Sequence, residues 1–326
     1  MYGVEMTNAK KLISVVAPAY NEEECVAELA RQLVVVMSEL EEYEFEVIIV
    51  ENGSSDNTWP ILTTIAESDQ RFKPIRLSRN FGMDGGVTAG LEFAKGDACV
   101  LMTADLQDPP KLIVDFVRKW EEGFENIYMV VEKRSTSGVL RRLNSKLFYL
   151  IADRLTGGLI PKDVSDFRLV DRKVYETVRN MRESNRFVRG MFAWVGFKTF
   201  GVSHPRPPRF GGDSKANLGT VVRLAKHGIL SFSDVPLRMI TWFGVICSGL
   251  AMSTMVVFAV LRFVIGTPFA GFATIITIVL FFFGLLSFMI GILAEYVAMI
   301  HSEVKNRPNF VIAEAVNTAL NIDQTR

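Results

Sequence analysis

Met102-Thr103-Ala104-Asp105-Leu106-Gln107-Asp108-Pro109-Pro110 is the stretch whose reading decides the fold. An apolar run over residues 98–102 stops here, and a carboxylate, an amide and a second carboxylate follow at the mouth of a predicted strand. The paired prolines forbid further sheet pairing and open a helix, so the acidic side chains are expected on a short loop. Acidic groups at the carboxyl end of a buried parallel strand are where α/β folds hold metal and phosphate ligands. One residue is odd: Thr103 stands two positions before Asp105, where a second metal-binding carboxylate is expected.

Around this stretch strand and helix alternate. Residues 12–17 form a short apolar run ended by Pro18, and Val26, Leu29, Ala30, Leu33, Met37 and Leu40 recur at helical spacing. Residues 45–50 are continuous and β-branched, as in a strand covered on both faces. Ser54-Ser55-Asp56 offers caps for a helix over residues 56–67. Further strands are predicted over 74–77, 98–102 and 127–131, with helices over 85–94 and 110–121. This alternation predicts an α/β fold with a doubly wound, mostly parallel sheet, whose ligands gather at the strand carboxyl ends.

Three strand ends carry polar residues suited to that task. The first is Pro18-Ala19-Tyr20-Asn21-Glu22, the second Glu51-Asn52-Gly53-Ser54, and the third is the acidic stretch. Tyr20 can stack on a base, and Glu51 or Asn52 can read a base edge or a ribose. Singly, each is also ordinary turn chemistry; at three successive strand ends, ligand binding is the better reading.

The 326 residues carry 36 basic and 36 acidic side chains, so the balance gives no argument for nucleic acid. Their distribution says more. Residues 239–261 and 263–294 contain no charge, and only Arg262 separates them. About 20 apolar residues cross a bilayer as a helix, so a two-helix transmembrane hairpin is expected over residues 238–300. Arg223, Lys226 and Arg238 precede it and Lys305 and Arg307 follow, which predicts that both termini are cytoplasmic. Met1 to Lys11 is polar and mixed in charge, unlike a signal peptide. The 3 cysteines and 3 histidines are scattered, so any metal is expected on oxygen ligands, which favours Mg2+ or Mn2+.

The motifs Val16-Ala17-Pro18-Ala19-Tyr20-Asn21-Glu22-Glu23, Glu51-Asn52-Gly53-Ser54-Ser55-Asp56, Leu77-Ser78-Arg79-Asn80-Phe81-Gly82 and Ala104-Asp105-Leu106-Gln107-Asp108-Pro109-Pro110 resemble family 2 inverting glycosyltransferases of the GT-A fold. Ser165-Asp166-Phe167-Arg168, Arg186-Phe187-Val188-Arg189-Gly190 and Glu303-Val304-Lys305-Asn306-Arg307-Pro308 narrow the resemblance to polyisoprenyl-phosphate glycosyltransferases, and it covers nearly the whole chain. The resemblance implies transfer of a sugar from a nucleotide sugar, UDP-glucose by default, onto undecaprenyl phosphate at the cytoplasmic face of the inner membrane. It also implies a homotetramer.

Carried over by position, the resemblance gives Pro18, Tyr20, Glu22, Glu51, Asn52 and Asp105 to the nucleotide sugar. Asp105 and Gln107 would hold the metal, and Asp166 would be the catalytic base or positioning acid. Arg134, Arg141, Arg168, Arg206, Arg209 and Lys215 would meet diphosphate or lipid phosphate. The implied organisation is a GT-A domain over 1–215, an interfacial amphipathic region over 216–237, the hairpin over 238–300 and a cytoplasmic tail over 301–326. Three residues depart from the family pattern: Thr103 and Asn52 where carboxylates are usual, and Met83 where a lysine or similar polar residue is usual. They keep a second reading open, a weakly active or inactive homologue serving as a membrane scaffold or partner subunit.

Overall fold

The computed structural model describes residues 10–132, 164–184, 186–205, 235–265 and 271–318. The chain divides into two compact units, Met1–Arg223 with Arg307–Arg326, and Leu224–Asn306.

The first unit is built on one sheet of order β7-β5-β6-β4-β1-β2-β3-β8. Its strands are β1 (Leu12–Ala19), β2 (Glu44–Glu51), β3 (Ile75–Leu77), β4 (Ala98–Leu101), β5 (Asn126–Val131), β6 (Val164–Asp171), β7 (Thr199–His204) and β8 (Ile312–Ala315). The pairs β1–β2, β2–β3, β1–β4 and β5–β7 are parallel; β6 runs antiparallel to β4 and β5, and β8 antiparallel to β3. The expected α/β fold with a mostly parallel sheet is therefore present. Two antiparallel strands within it, β6 and β8, were not anticipated from the sequence.

The helices are α1 (Val26–Glu39), α2 (Thr58–Ser68), α3 (Gly82–Phe93), α4 (Leu112–Glu121), α5 (Arg172–Asn180) and α6 (Val188–Trp194). α1 packs with α2 and with α4, and α3 packs with α5 and α6. On the first face Ile13, Val15, Ala17, Val47 and Ile49 meet Leu29, Leu33, Leu62 and Phe116 in a single buried core. Each of these side chains other than Ala17 contributes about 1.5–3 kcal/mol when fully buried. On the second face α3 approaches β1 closely because it carries glycine. A Cβ on Gly86 would lie 2.9 Å from Pro18 Cβ, and one on Gly90 would lie 2.2 Å from Val16 Cγ1.

Residues 301–326, expected as a tail, do more than trail from the last helix. Their Ile312–Ala315 is the edge strand β8, flanked by Ser78 N donating to Val311 O at 2.9 Å and Val316 N donating to Pro74 O at 3.0 Å. Asn317 Nδ2 donates to Ala66 O and Phe72 O. The strand thus covers an edge of the sheet that would otherwise present open backbone groups.

The second unit holds two long helices, α7 (Val235–Ile265) and α8 (Phe272–Lys305). Among the described residues one segment, Phe281–Lys305, is long and apolar enough to cross a membrane, and none of its most apolar window is buried. Phe263 and Val264 on α7 and Phe281, Phe283 and Phe288 on α8 stand exposed, an apolar surface far beyond what a water-facing helix carries.

Candidate active site

The loops after β1 and β2 are laced together. Asn21 N donates to Ser54 Oγ at 2.9 Å, and Ser55 N donates back to Asn21 Oδ1 at 2.9 Å. Glu22 N donates to Thr58 Oγ1 at 2.9 Å, Glu23 N to Asp56 Oδ2 at 3.2 Å, and Asn57 N to Glu23 Oε2 at 3.0 Å. Asp56 also accepts from the Thr58 amide and hydroxyl. Burial opposes ionisation of Asp56, yet the Thr58 and Glu23 bonds outweigh it and hold its carboxyl below the usual range. Helix α2 starts from Asn57 without a side-chain cap, and Asp56, expected as a cap, instead clamps both loops. Pro18 and Glu22 are buried within this frame and Tyr20 is half-buried.

Glu51 and Asn52 end β2 in the interior. Glu51 is fully buried; its Oε1 accepts from Ser54 N, and its Oε2 lies 3.2 Å from Arg76 Nε. Asn52 Nδ2 donates to Gly82 O at 2.8 Å, and its Oδ1 accepts from Phe81 N at 2.9 Å. This amide pins the Asn80-Phe81-Gly82 turn, a task that needs a donor and an acceptor on one side chain. The departure from a carboxylate at this position has a physical reason: aspartate lacks the donor. Gly53, at φ 69, completes the turn, and a Cβ there would meet Arg79 backbone carbon at 2.6 Å.

At the end of β4, Thr103 joins two acids. Its Oγ1 lies 2.7 Å from Asp105 Oδ1 and 2.8 Å from Asp108 Oδ2, and its N donates to Asp108 Oδ2 at 3.1 Å. Gln107 N donates to Asp105 Oδ1 at 3.2 Å across a turn whose Leu106 holds φ 58, a strained conformation for a branched residue. Asp108 is fully buried, and Ser165 Oγ on β6 donates to its Oδ1 at 3.1 Å. A chain of hydrogen bonds thus runs from Asp105 through Thr103 and Asp108 to Ser165, the neighbour of Asp166. Among the described residues no group of three or more His, Cys, Asp or Glu converges on a metal position. The donor set fits an ion held by one carboxylate with substrate phosphates, the ordinary habit of magnesium.

Asp166 meets Arg189 of α6 in a two-pronged ion pair, Nε to Oδ1 at 2.8 Å and Nη2 to Oδ2 at 2.7 Å. Neither side chain is buried, with 39% and 32% exposure, so the pair borders solvent. Asp84, in the first turn of α3, accepts from Val188 N at 3.0 Å and so caps the helix that carries Arg189. Arg168 lies deeper. It is 3% exposed, its guanidinium sits 5.0 Å over the Phe192 ring, and its Nη2 has no hydrogen-bond partner among the described residues. Burial pushes its ordinary pKa down to about 10, which still leaves it charged at neutral pH.

The structure thus gathers Asp105, Asp166 and Arg168 along β4 and β6, and Pro18, Glu22, Glu51 and Asn52 at the neighbouring strand ends. Arg134, Arg141, Arg206, Arg209, Lys215 and most of the expected interfacial region lie outside the described residues. Asp108, Ser165, Asp84 and Arg189 had been given no site role from sequence. Asp108 stands in plain view before the two prolines; Ser165 and Arg189 depend on which antiparallel neighbour β4 takes, and Asp84 on α3 meeting α6.

Residues 14–179 match the sequence profile of glycosyl transferase family 2, and the chain belongs to that family. It is a glycosyltransferase. Among its relatives, the uncharacterized glycosyltransferase YkcC of Bacillus subtilis is 36% identical over 302 residues, which cover 93% of each chain. The SfII prophage-derived bactoprenol glucosyl transferase of Shigella flexneri is 35% identical over 303 residues, 93% of this chain and 98% of that one. The prophage bactoprenol glucosyl transferase homolog of Escherichia coli is 35% identical over 300 residues, covering 92% and 98%.

Proposed function

We propose that this protein transfers a hexosyl unit, glucose by the names of its relatives, from a UDP-sugar to a polyprenyl phosphate at the cytoplasmic face of a membrane. The observation that carries the reading is the hydrogen-bonded run Asp105–Thr103–Asp108–Ser165, which ties the acid at the end of β4 to the strand that presents Asp166. It couples a donor corner to an acceptor corner.

In the proposed reaction an oxygen of the lipid phosphate attacks the anomeric carbon as the bond from that carbon to the nucleoside diphosphate breaks. The configuration inverts, and the electron pair leaves on the diphosphate. The acceptor is already an anion, so alignment matters more than a strong base. That suits Asp166, whose carboxylate is occupied by Arg189: the pair would orient the acceptor rather than take its proton. Asp105, with Gln107, would hold Mg2+ or Mn2+, which supplies charge neutralisation for the departing diphosphate. Pro18, Tyr20, Glu22 and Glu51 would frame the nucleotide, and Asn52 would hold the turn beneath it. α7 and α8 would form the membrane hairpin; the uncharged runs 239–261 and 263–294 and the exposed apolar faces support this.

The test is a transfer assay on purified full-length protein with undecaprenyl phosphate, Mg2+ or Mn2+, and a panel of labelled nucleotide sugars. Label should appear in the lipid fraction with one preferred donor. Failure of every donor with folded protein would overturn the reading in favour of a scaffold.

A further inference from the structure

Three adjacent strands carry charge in register. Glu51 on β2 is the partner of Arg76 on β3, and Arg76 is the partner of Glu314 on β8. Their side chains join as well: Arg76 Nε lies 3.2 Å from Glu51 Oε2, and Arg76 Nη1 lies 3.3 Å from Glu314 Oε1. Trp59 Nε1 donates to Glu314 Oε2 at 3.2 Å, and the Arg76 guanidinium sits 5.7 Å from the Trp59 ring centre. Exposure falls along the row, from 56% at Glu314 through 35% at Arg76 to 0% at Glu51. A carboxylate on the last strand of the chain thus holds the arginine that neutralises a fully buried acid.

Glu51 is an unfinished contact. Its Oε2 is close enough to Arg76 for charge pairing, but it makes no hydrogen bond of acceptable geometry to any described residue. A buried oxygen in that condition is costly, and native interiors rarely tolerate one without a function or a ligand. A carboxylate can only accept, so what completes it is an N–H donor. Removing Arg76 would leave the buried charge uncompensated and free the side chain to turn away.

We propose that Arg76 and Glu314 are positioning residues for the donor nucleotide. Glu314 holds Arg76, Arg76 fixes Glu51, and the unbonded Glu51 oxygen, covered in the free protein, is uncovered as the nucleotide seats and takes the ring N–H of a base such as uracil. Cytosine offers a lone pair at the same ring position. Strand β8, encoded after the two long helices, is in this way part of the nucleotide site. The inference rests on the reading that Glu51 faces the nucleotide.

The experiment is calorimetric titration of detergent-solubilised full-length protein with UDP and with CDP, which needs no transfer activity. Wild type should prefer UDP. Glu314→Gln should weaken UDP binding by about threefold to fivefold, as expected for loss of a partly exposed ion pair. Arg76→Met should weaken it by about tenfold or more and shrink the UDP-over-CDP preference, with Arg76→Lys keeping part of both. Adding Glu314→Gln to Arg76→Met should cost less than about twofold more, because the two act through one contact. Glu314→Gln and Arg76→Lys keep the test open if Arg76→Met fails to fold. Unchanged UDP affinity and preference in the variants, with or without a lower melting temperature, would reduce the row to a fastening of β8 and overturn this inference alone. A folded wild type that binds neither nucleotide would overturn the donor reading with it.

Discussion

Two corners of one sheet hold their acids in opposite conditions. At the β4–β6 corner the acids are tied into a network: Asp108 is bonded through both oxygens, Asp105 through Thr103 and the Gln107 amide, and Asp166 through Arg189. At the β2–β3–β8 corner Glu51 is buried more deeply than Asp105 or Asp166, and one of its oxygens has no hydrogen bond among the described residues. A network of the first kind fixes geometry before anything arrives, which is what neutralising a leaving diphosphate requires. The second kind leaves an acceptor for a group that the ligand supplies. On the proposed function the difference separates reaction from recognition, and substitutions in the two corners should therefore have different signatures.

The sharpest break would come at Asp105. Asp105→Asn keeps the size of the side chain and removes its charge, so turnover should fall by about a hundredfold or more, the scale seen when charge stabilisation of a transition state is lost. The assay is initial-rate transfer to undecaprenyl phosphate at several metal concentrations. Full activity in this variant would mean that the β4 corner is not where the diphosphate is neutralised. Asp166→Asn comes next, with an expected loss of about tenfold to a hundredfold in kcat. UDP affinity should stay within about twofold, since the pair with Arg189 acts on alignment. An equal loss of donor binding would move Asp166 to the recognition side of the comparison.

The two corners also differed in how far the sequence exposed them. β1 to β4 and α1 to α4 follow one another with apolar runs and helical spacing, and each local signal agreed with its neighbours. Glu51 and Asn52 were visible because β2 ends on them. Their partners were not. Glu314 reaches Arg76 from the far end of the chain, past two long apolar helices that drew the tail reading of residues 301–326. Strand β6 pairs antiparallel with β4, and no local pattern announces that direction. Arg189 therefore carries no role in the sequence reading, although its motif Arg186-Phe187-Val188-Arg189-Gly190 supports the family resemblance. Pairing across the sheet is long-range information, and periodicity carries none of it.

Thr103 offers a way to convert one corner toward an open acid site. A carboxylate at 103 would face Asp105 Oδ1 and Asp108 Oδ2, the two oxygens that the threonine hydroxyl now touches. Thr103→Asp should therefore lower stability in EDTA by about 2–3 kcal/mol, since like charges gather around a buried acid. Added Mn2+ should restore the melting temperature of the variant in a saturable manner and shift wild type less. If Thr103→Asp melts with wild type in EDTA, the corner is looser than its hydrogen bonds imply.

The smallest effect belongs to Asn52, which stands beside Glu51 yet is bonded like the residues of the other corner. Asn52→Asp keeps the bond from Phe81 N but sets an oxygen against Gly82 O, where Nδ2 now donates at 2.8 Å. Losing that donor should cost about 1–2 kcal/mol, or roughly 2–8 °C in melting temperature for a unit of this size. The variant should bind UDP within about threefold of wild type, because its fault lies in the turn beneath the site rather than in a ligand contact. Thermal melts and UDP titration on the same preparation separate the two outcomes. A variant of unchanged stability that loses UDP affinity would make Asn52 a reader of the nucleotide, as Glu51 is proposed to be.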